Sequence, residues 1–307
     1  MLSNNYLSFG AEVNEAVKNK KPIVALESSI ISHGMPYPTN LNTIFAVEDI
    51  IRKAGVTPAT IAILEGVIKI GLTKEELAFL SKSKNIYKAS ERDIPFILLK
   101  KFHAATTTSA SLAIASAAGI HVFATGGIGG VGPDATKTFD ISTDLISIGK
   151  FPCITVCAGA KAFMDISATL EFLETHSIPV CVYCSKNFPL FYSRDSGIKI
   201  DWEVNHPREV ADLFKIQLSI GQPGGMLVAV PIPFDDAIPE NEIHEAISIA
   251  LKEVKKMDIR GKEYTPKVLS LIKEITGSKS LDANVALIKH NAEIASEIAK
   301  SISEIMG

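Results

Sequence analysis

The sequence predicts an α/β fold, a three-layer α/β/α arrangement with a mixed, largely parallel sheet and a helical C-terminal portion. Three observations carry that prediction. Short β-branched runs alternate with longer amphipathic stretches, as strands and crossover helices do in such sheets. Hydrophobic residues make up 47% of the 307 residues and charged residues 21%, enough to bury both faces of a sheet. Beyond about Glu240 every pattern is helical. No internal repeat or linker-like tract interrupts the chain, so residues 1–307 are expected to form a single domain.

The first strand is Pro22 to Glu27, followed by a helix from Thr39 to Ala54 with Ile44, Val47, Ile50 and Ile51 on one face. Thr60 to Leu64 and Val67 to Ile70 are expected to pair about the Glu65-Gly66 turn. Thr73-Lys-Glu-Glu is a capping box, so a helix should start there and run to about Ser81. Thr107 to Ala118 reads as an alanine-rich buried helix closed by Gly119, and His121 to Thr125 as a strand emptying into a glycine-rich loop. Strand Cys153 to Cys157, helix Ala162 to His176, and strands Val180 to Tyr183 and Met226 to Pro231 follow. Three helices close the chain: about Glu240 to Met257, Pro266 to Ile275 and Leu281 to Ile305.

A formal net charge of −3 with no Lys/Arg cluster argues against a nucleic-acid polymer as ligand and favours a free small molecule. No apolar stretch is long enough to span a membrane, and the polar opening Met1 to Gly10 lacks a signal-peptide pattern, so a cytoplasmic protein is expected. Cys153, Cys157, Cys181 and Cys184 all fall in strand-like contexts. Residues three apart on a strand face opposite ways, so Cys181 and Cys184 do not chelate one zinc ion without a bend. Reduced strand cysteines are the simpler reading.

Ligands of open α/β sheets bind beyond the carboxyl ends of the strands. That rule selects Glu27-Ser28-Ser29, Gly126 to Gly132, Ala158 to Lys161 and Lys186 to Arg194. Lys161 follows Cys157-Ala-Gly-Ala at an expected strand-to-helix junction, where a helix N-terminus and partial burial disfavour the ammonium and favour a nucleophilic amine. An exposed lysine opening a helix fits the local residues at least as well. Glu27, at a strand exit beside Pro36 and Pro38, suits acid–base work or loop bracing about equally. Gly126-Gly-Ile-Gly-Gly-Val-Gly132 resembles a phosphate cradle, but it is neither a P-loop nor a dinucleotide fingerprint. Asp140 and Asp144 share a face if their stretch is helical, which suits magnesium or manganese; a solvated acidic face is the ordinary alternative.

Taken together, several long segments in order resemble the pseudouridine-5′-phosphate glycosidase family. They are Ala25-Leu-Glu-Ser-Ser-Ile-Ile-Ser-His-Gly-Met-Pro-Tyr-Pro38, Thr125-Gly-Gly-Ile-Gly-Gly-Val131, Thr138-Phe-Asp-Ile-Ser-Thr-Asp-Leu145 and Cys157-Ala-Gly-Ala-Lys161. Phe191-Tyr-Ser-Arg-Asp-Ser-Gly197, Gly261-Lys-Glu-Tyr-Thr-Pro266 and Ser280-Leu-Asp-Ala-Asn-Val-Ala-Leu287 continue the match.

The resemblance implies cleavage of the carbon–carbon glycosidic bond of pseudouridine 5′-phosphate, with uracil and ribose 5-phosphate as products. It makes Lys161 the covalent lysine, Glu27 the proton donor and Asp140 the carboxylate of a largely water-completed manganese (Mn2+) site. Lys88 then meets the 5′-phosphate. Thr108, Ser142, Thr143 and Asp144 contact substrate, and Thr125 and Asn284 are further candidates for the phosphate pocket. A homotrimer is also implied.

Two positions depart from the family pattern. Gly132 stands where members commonly carry His, which leaves His33 or His103 to substitute, and Thr108 stands where a small apolar residue is usual. The departures keep two alternatives in view: a relative acting on a different C-nucleotide or sugar phosphate, and a non-catalytic nucleotide-binding sensor.

Overall fold

The computed structural model describes residues 6–257, 259 and 261–306. Its elements in chain order begin with β1 (Leu7–Phe9), α1 (Ala11–Lys18), β2 (Ile23–Leu26) and α2 (Thr39–Lys53). Next come β3 (Thr57–Leu64), β4 (Val67–Ile70), α3 (Lys74–Lys82), β5 (Tyr87–Ala89), α4 (Ile94–Lys100) and β6 (Ala104–Thr106). The middle of the chain forms α5 (Thr108–Ala117), β7 (Val122–Ala124), α6 (Ala135–Thr138), α7 (Thr143–Lys150), β8 (Ile154–Cys157) and α8 (Ile166–Thr175). The remainder forms β9 (Val180–Tyr183), β10 (Glu203–Val204), α9 (Pro207–Ser219), β11 (Met226–Ala229), α10 (Glu240–Lys256), α11 (Tyr264–Thr276) and α12 (Lys279–Met306).

The strands join one sheet in the order β1-β4-β3-β2-β7-β8-β11-β9-β10, with β6 on β3 and β5 on β6. Pairing is parallel except at β3–β4 and β3–β6, among the described residues. Every residue of β3, β8 and β11 is buried, which requires cover on both faces of the sheet. Helix α12 packs against β2, β7 and β8, flanked by α2 and α9, while α5 and α7 lie together and α5 reaches β2 and β3.

One seam in this sheet positions the site. Strand β2 pairs with the first half of β3, Thr57 to Thr60, and then stops. Strand β6 takes over beside Ala62 and Ile63, running the other way. The carbonyl of Ile61 lies at the changeover and accepts hydrogen bonds from the hydroxyls of Ser28 and Thr106, each at 2.6 Å. Ser28 Oγ in turn accepts from the Thr106 amide at 2.9 Å. These buried bonds satisfy backbone groups that a broken ladder leaves open, and they fix the exit of β2 immediately after Glu27.

The helices and strands read from hydrophobic period are present, including the capping box. Thr73 Oγ1 accepts from the Glu76 amide at 3.2 Å, and Glu76 Oε2 accepts from the Thr73 amide at 2.9 Å. One boundary differs where it matters. The helix expected from Ala162 begins at Ile166, because Asp165 caps it by accepting from the Ala168 amide at 2.9 Å. Lys161 therefore sits in a turn ahead of the helix, not on its first residue. Strands β1, β5, β6 and β10, of two or three residues each, are too short to show a period.

Candidate active site

The sequence-derived candidates converge on one cavity of about 1300 Å³, its open mouth included, at the carboxyl ends of β2, β6, β7 and β8. Glu27, Lys88, Thr108, Thr125, Asp140, Ser142, Thr143, Asp144, Lys161 and Asn284 all line it. They come from seven separate stretches of chain, so a shared wall is a property of the fold and not of sequence proximity.

Glu27 is 7% exposed. Its Oε1 accepts from the Thr125 hydroxyl and its Oε2 from the Ser29 hydroxyl. Two hydroxyl donors hold the carboxylate in one orientation and supply part of the solvation that burial removes. Across the next strands, the glycine loop 126–132 and the segment 158–161 zip together. The Ala158 amide donates to Gly126 O at 2.8 Å, the Ile128 amide to Gly159 O at 3.1 Å, and the Lys161 amide to Ile128 O at 3.0 Å. Gly159 adopts φ +82°, and a Cβ there would meet Phe188 Cε1 and Pro189 O, each at 2.8 Å; glycine is required on both counts. Lys161 leaves this zipper half-buried, with Nζ donating to Gly127 O at 2.6 Å.

Part of the glycine loop serves as scaffold. The amides of Ile128, Gly129, Val131 and Gly132 donate to Gly159 O, Asp144 Oδ2, Thr169 Oγ1 and Asp140 O respectively. Donors already committed to protein acceptors do not greet an anion. Gly129 also abuts Ser142, so a Cβ at that position would collide with the serine Oγ and Cβ.

Asp140 and Asp144 do not share a helical face, which corrects the helical reading of that stretch. Helix α7 starts at Thr143, leaving Asp140 in the preceding loop and exposed. Asp144 is 7% exposed and turned inward: Oδ1 accepts from the Ser109 amide at 3.0 Å and Oδ2 from the Gly129 amide at 2.9 Å. It clasps the start of α5 to the glycine loop. Among the described residues no cluster of three or more His, Cys, Asp or Glu suits a metal. Asp140 lines the cavity as an exposed carboxylate, a hard-oxygen donor. Such a donor fits a divalent cation that keeps most of its water and does not fit zinc.

Of the cysteines, Cys153, Cys157 and Cys181 are buried and Cys184 is exposed, all as free thiols. Burial pushes the three buried thiols up to about 12.

Five buried side-chain atoms lack a hydrogen-bond partner among the described residues: His33 Nε2, Thr107 Oγ1, Thr155 Oγ1, Asn284 Oδ1 and Asn291 Oδ1. Three of them, on His33, Thr107 and Asn284, belong to cavity residues. Unsatisfied buried polar atoms are rare in folded proteins, and their concentration here marks a place shaped for a polar ligand. Burial, and secondarily the nearby Lys88 charge, lowers the His33 pKa from 6.5, favouring a neutral imidazole.

Ser90, Arg92, Thr107 and Tyr264 also line the cavity and were not singled out from sequence, and Ser29 and Phe191, which lie in segments the strand-exit rule selected, were given no role there. Ser29, Phe191 and Tyr264 fall inside segments that carry the resemblance. Phe191 is 2% exposed, and its amide donates to Ala158 O at 3.2 Å, bracing the lysine segment. The Tyr264 phenol is raised above its usual pKa by burial and then by the charges of Asp140 and Asp134, so it stays protonated beside Asp140.

Residues 12–301 match the family model described as indigoidine synthase A like protein. The pseudouridine-5′-phosphate glycosidase of Caldanaerobacter subterraneus subsp. tengcongensis is 48% identical over 302 residues, 98% of each chain. That of Petrotoga mobilis is 48% identical over 303 residues, 99% of each chain. Among solved structures, the prealnumycin C-glycosynthase AlnA in complex with ribulose 5-phosphate superposes with a TM-score of 0.91 at 31% identity, covering 99% of both chains. Full-length identity at this level places the chain in the indigoidine synthase A like family, among the pseudouridine-5′-phosphate glycosidases.

Proposed function

We propose that the protein cleaves the C1′–C5 bond of pseudouridine 5′-phosphate, reversibly, giving uracil and ribose 5-phosphate. The observation that carries this reading is the shared wall of Glu27 and Lys161 in one cavity, in a chain whose relatives are named for that reaction. Carbon is a poor leaving group, and the usual pair of glycosidase carboxylates offers it no electron sink. A lysine amine does.

In the proposed sequence, Lys161 Nζ bonds to C1′ as the C1′–O4′ bond breaks, and a proton passes from the resulting ammonium to O4′. The nitrogen lone pair then forms a C1′=N⁺ iminium as the C1′–C5 bond breaks, and C5 of uracil takes a proton from Glu27. Water adds to the iminium, the C–N bond breaks, and ribose 5-phosphate departs from a regenerated lysine. The first step needs the neutral amine and the second the protonated carboxyl. Proton transfer from Lys161 to Glu27 on substrate binding puts both groups in their reactive forms. Ser29 and Thr125 hold Glu27 during this exchange.

Lys88, Thr108 and Asn284, with Ser142, Thr143 and Thr125, are assigned to holding the sugar phosphate. Asp140 is assigned to a manganese ion that supplies positive charge near the substrate when bound. A homotrimer in the cytoplasm completes the proposal, and light scattering of the purified chain checks the assembly.

A second reading rests on Gly132. A Cβ at that position would lie 3.1 Å from Asp140 O and 3.2 Å from Asp140 Oδ2, so the glycine keeps the Asp140 loop close and side-chain-free. AlnA, named as a C-glycosynthase for prealnumycin, is a structural neighbour whose named product is not pseudouridine. The second reading is therefore C-glycoside cleavage or formation with a different base. Base release from pseudouridine 5′-phosphate, beside a panel of other C- and N-nucleoside 5′-phosphates, separates the two. Turnover of pseudouridine 5′-phosphate supports the main reading, and activity confined to another base overturns it.

A further inference from the structure

The imidazole of His33 has no task in the chemistry above, yet its placement is unusual. It lies on the short turn Ile30–Gly34 that follows Glu27, and it lines both the main cavity and a smaller cavity behind it. The ring lies within electrostatic reach of the backbone of Tyr87 and Ile86, the residues leading into Lys88. Nε2 is buried with no partner among the described residues. In a neutral imidazole one ring nitrogen donates and the other accepts, and an unpartnered Nε2 is available as the acceptor. A buried acceptor without a donor is costly to maintain, and nothing in the packing requires nitrogen at that position.

We propose that His33 is a substrate-positioning residue whose Nε2 accepts a hydrogen bond from a sugar hydroxyl, orienting the sugar between Lys88 and the Glu27 exit. The inference rests on the sugar-phosphate reading of the cavity and deepens it. The ring bridges the turn after Glu27 and the strand that carries Lys88. One hydrogen bond therefore ties the sugar to both the proton donor and the residue assigned to its phosphate. It also discriminates: a ligand that presents no hydroxyl there leaves the acceptor unpaired, whereas inorganic phosphate never engages it.

The test is titration calorimetry on the full chain with manganese present, using ribose 5-phosphate and, separately, inorganic phosphate. The proteins are the wild type, His33→Leu and His33→Gln, with thermal midpoints recorded for all three. His33→Leu is expected to weaken ribose 5-phosphate binding about tenfold, the loss of roughly one hydrogen bond to a desolvated acceptor. Its affinity for inorganic phosphate should stay within about twofold, a change too small to represent a lost contact. His33→Gln, which restores an acceptor, is expected to recover most of the loss.

Equal weakening of both ligands, or no weakening of either, overturns the proposal. So does a loss in His33→Leu that His33→Gln fails to recover, because packing rather than hydrogen bonding then explains it. Wild type that binds ribose 5-phosphate but does not cleave pseudouridine 5′-phosphate refutes the glycosidase reading and leaves His33 testable. Wild type that does not bind ribose 5-phosphate overturns the His33 proposal itself.

Discussion

The two carboxylates Asp140 and Asp144, four residues apart, are expected to respond to alanine substitution in opposite ways. Asp144→Ala deletes the acceptor for the Ser109 amide and the Gly129 amide, both inside the protein. Each buried N–H left without a partner costs about 1–3 kcal/mol, so the pair should cost roughly 3 kcal/mol after partial relaxation. For 307 residues the unfolding entropy at the midpoint is about 0.6 kcal/mol/K, which converts that cost into a fall of about 5 °C. Asp140→Ala removes an exposed side chain and should move the midpoint by less than about 1 °C. Scanning calorimetry of the two variants at neutral pH reads both numbers, and base release with added manganese reads the activity. Asp140→Ala is expected to lose activity with an unchanged midpoint. Asp144→Ala is expected to unfold early and to lose substrate affinity as the glycine loop loosens. A midpoint for Asp144→Ala within about 1 °C of wild type refutes the clasp, because two buried orphan amides cannot cost so little.

Other expectations follow from single residues. Gly127→Ala places a Cβ 2.5 Å from the Phe191 ring and 3.0 Å from Gly159 O, so affinity for ribose 5-phosphate should drop at least tenfold, as calorimetry would show. Thiol labelling of the native protein should modify Cys184 alone, with Cys153, Cys157 and Cys181 reacting only after denaturation, as intact-mass measurement would count. Because the folded-state pKa of His33 lies below 6.5, the unfolded chain binds more protons just below that pH. The His33 contribution to stability is therefore complete at neutral pH and is lost as pH falls through 6.5 toward the lowered folded value. The midpoint of His33→Gln should fall less than that of wild type between pH 7 and pH 5, and equal falls would contradict the assignment.

Much of the fold was legible because its long elements carry strong periods. The β3–β4 hairpin, the α3 capping box and the three C-terminal helices are all local patterns, and local patterns survive in sequence. The seam at Ile61, where β6 replaces β2 as the partner of β3, was not legible. It depends on a three-residue strand whose partner lies about forty residues upstream. The site divides in the same way. Glu27 and Lys161 were reachable from the strand-exit rule, but their roles came from the resemblance, since an isolated acid or lysine at such a position is ambiguous. The Asp144 clasp was not legible because its partners, Ser109 and Gly129, are set by tertiary packing and not by spacing. The orphaned Nε2 of His33 has no sequence signature at all, because being unpartnered is a property of the assembled cavity.

Covalent catalysis by Lys161 is the central claim, and one comparison tests it most directly. Uracil release from pseudouridine 5′-phosphate is measured with manganese for wild type and Lys161→Ala, alongside borohydride reduction in the presence of ribose 5-phosphate and peptide mass mapping. The account predicts turnover and a reduced sugar-phosphate adduct on Lys161 in the wild type, and neither in the variant. Turnover that persists in Lys161→Ala, or an adduct mapped to another residue, would contradict it.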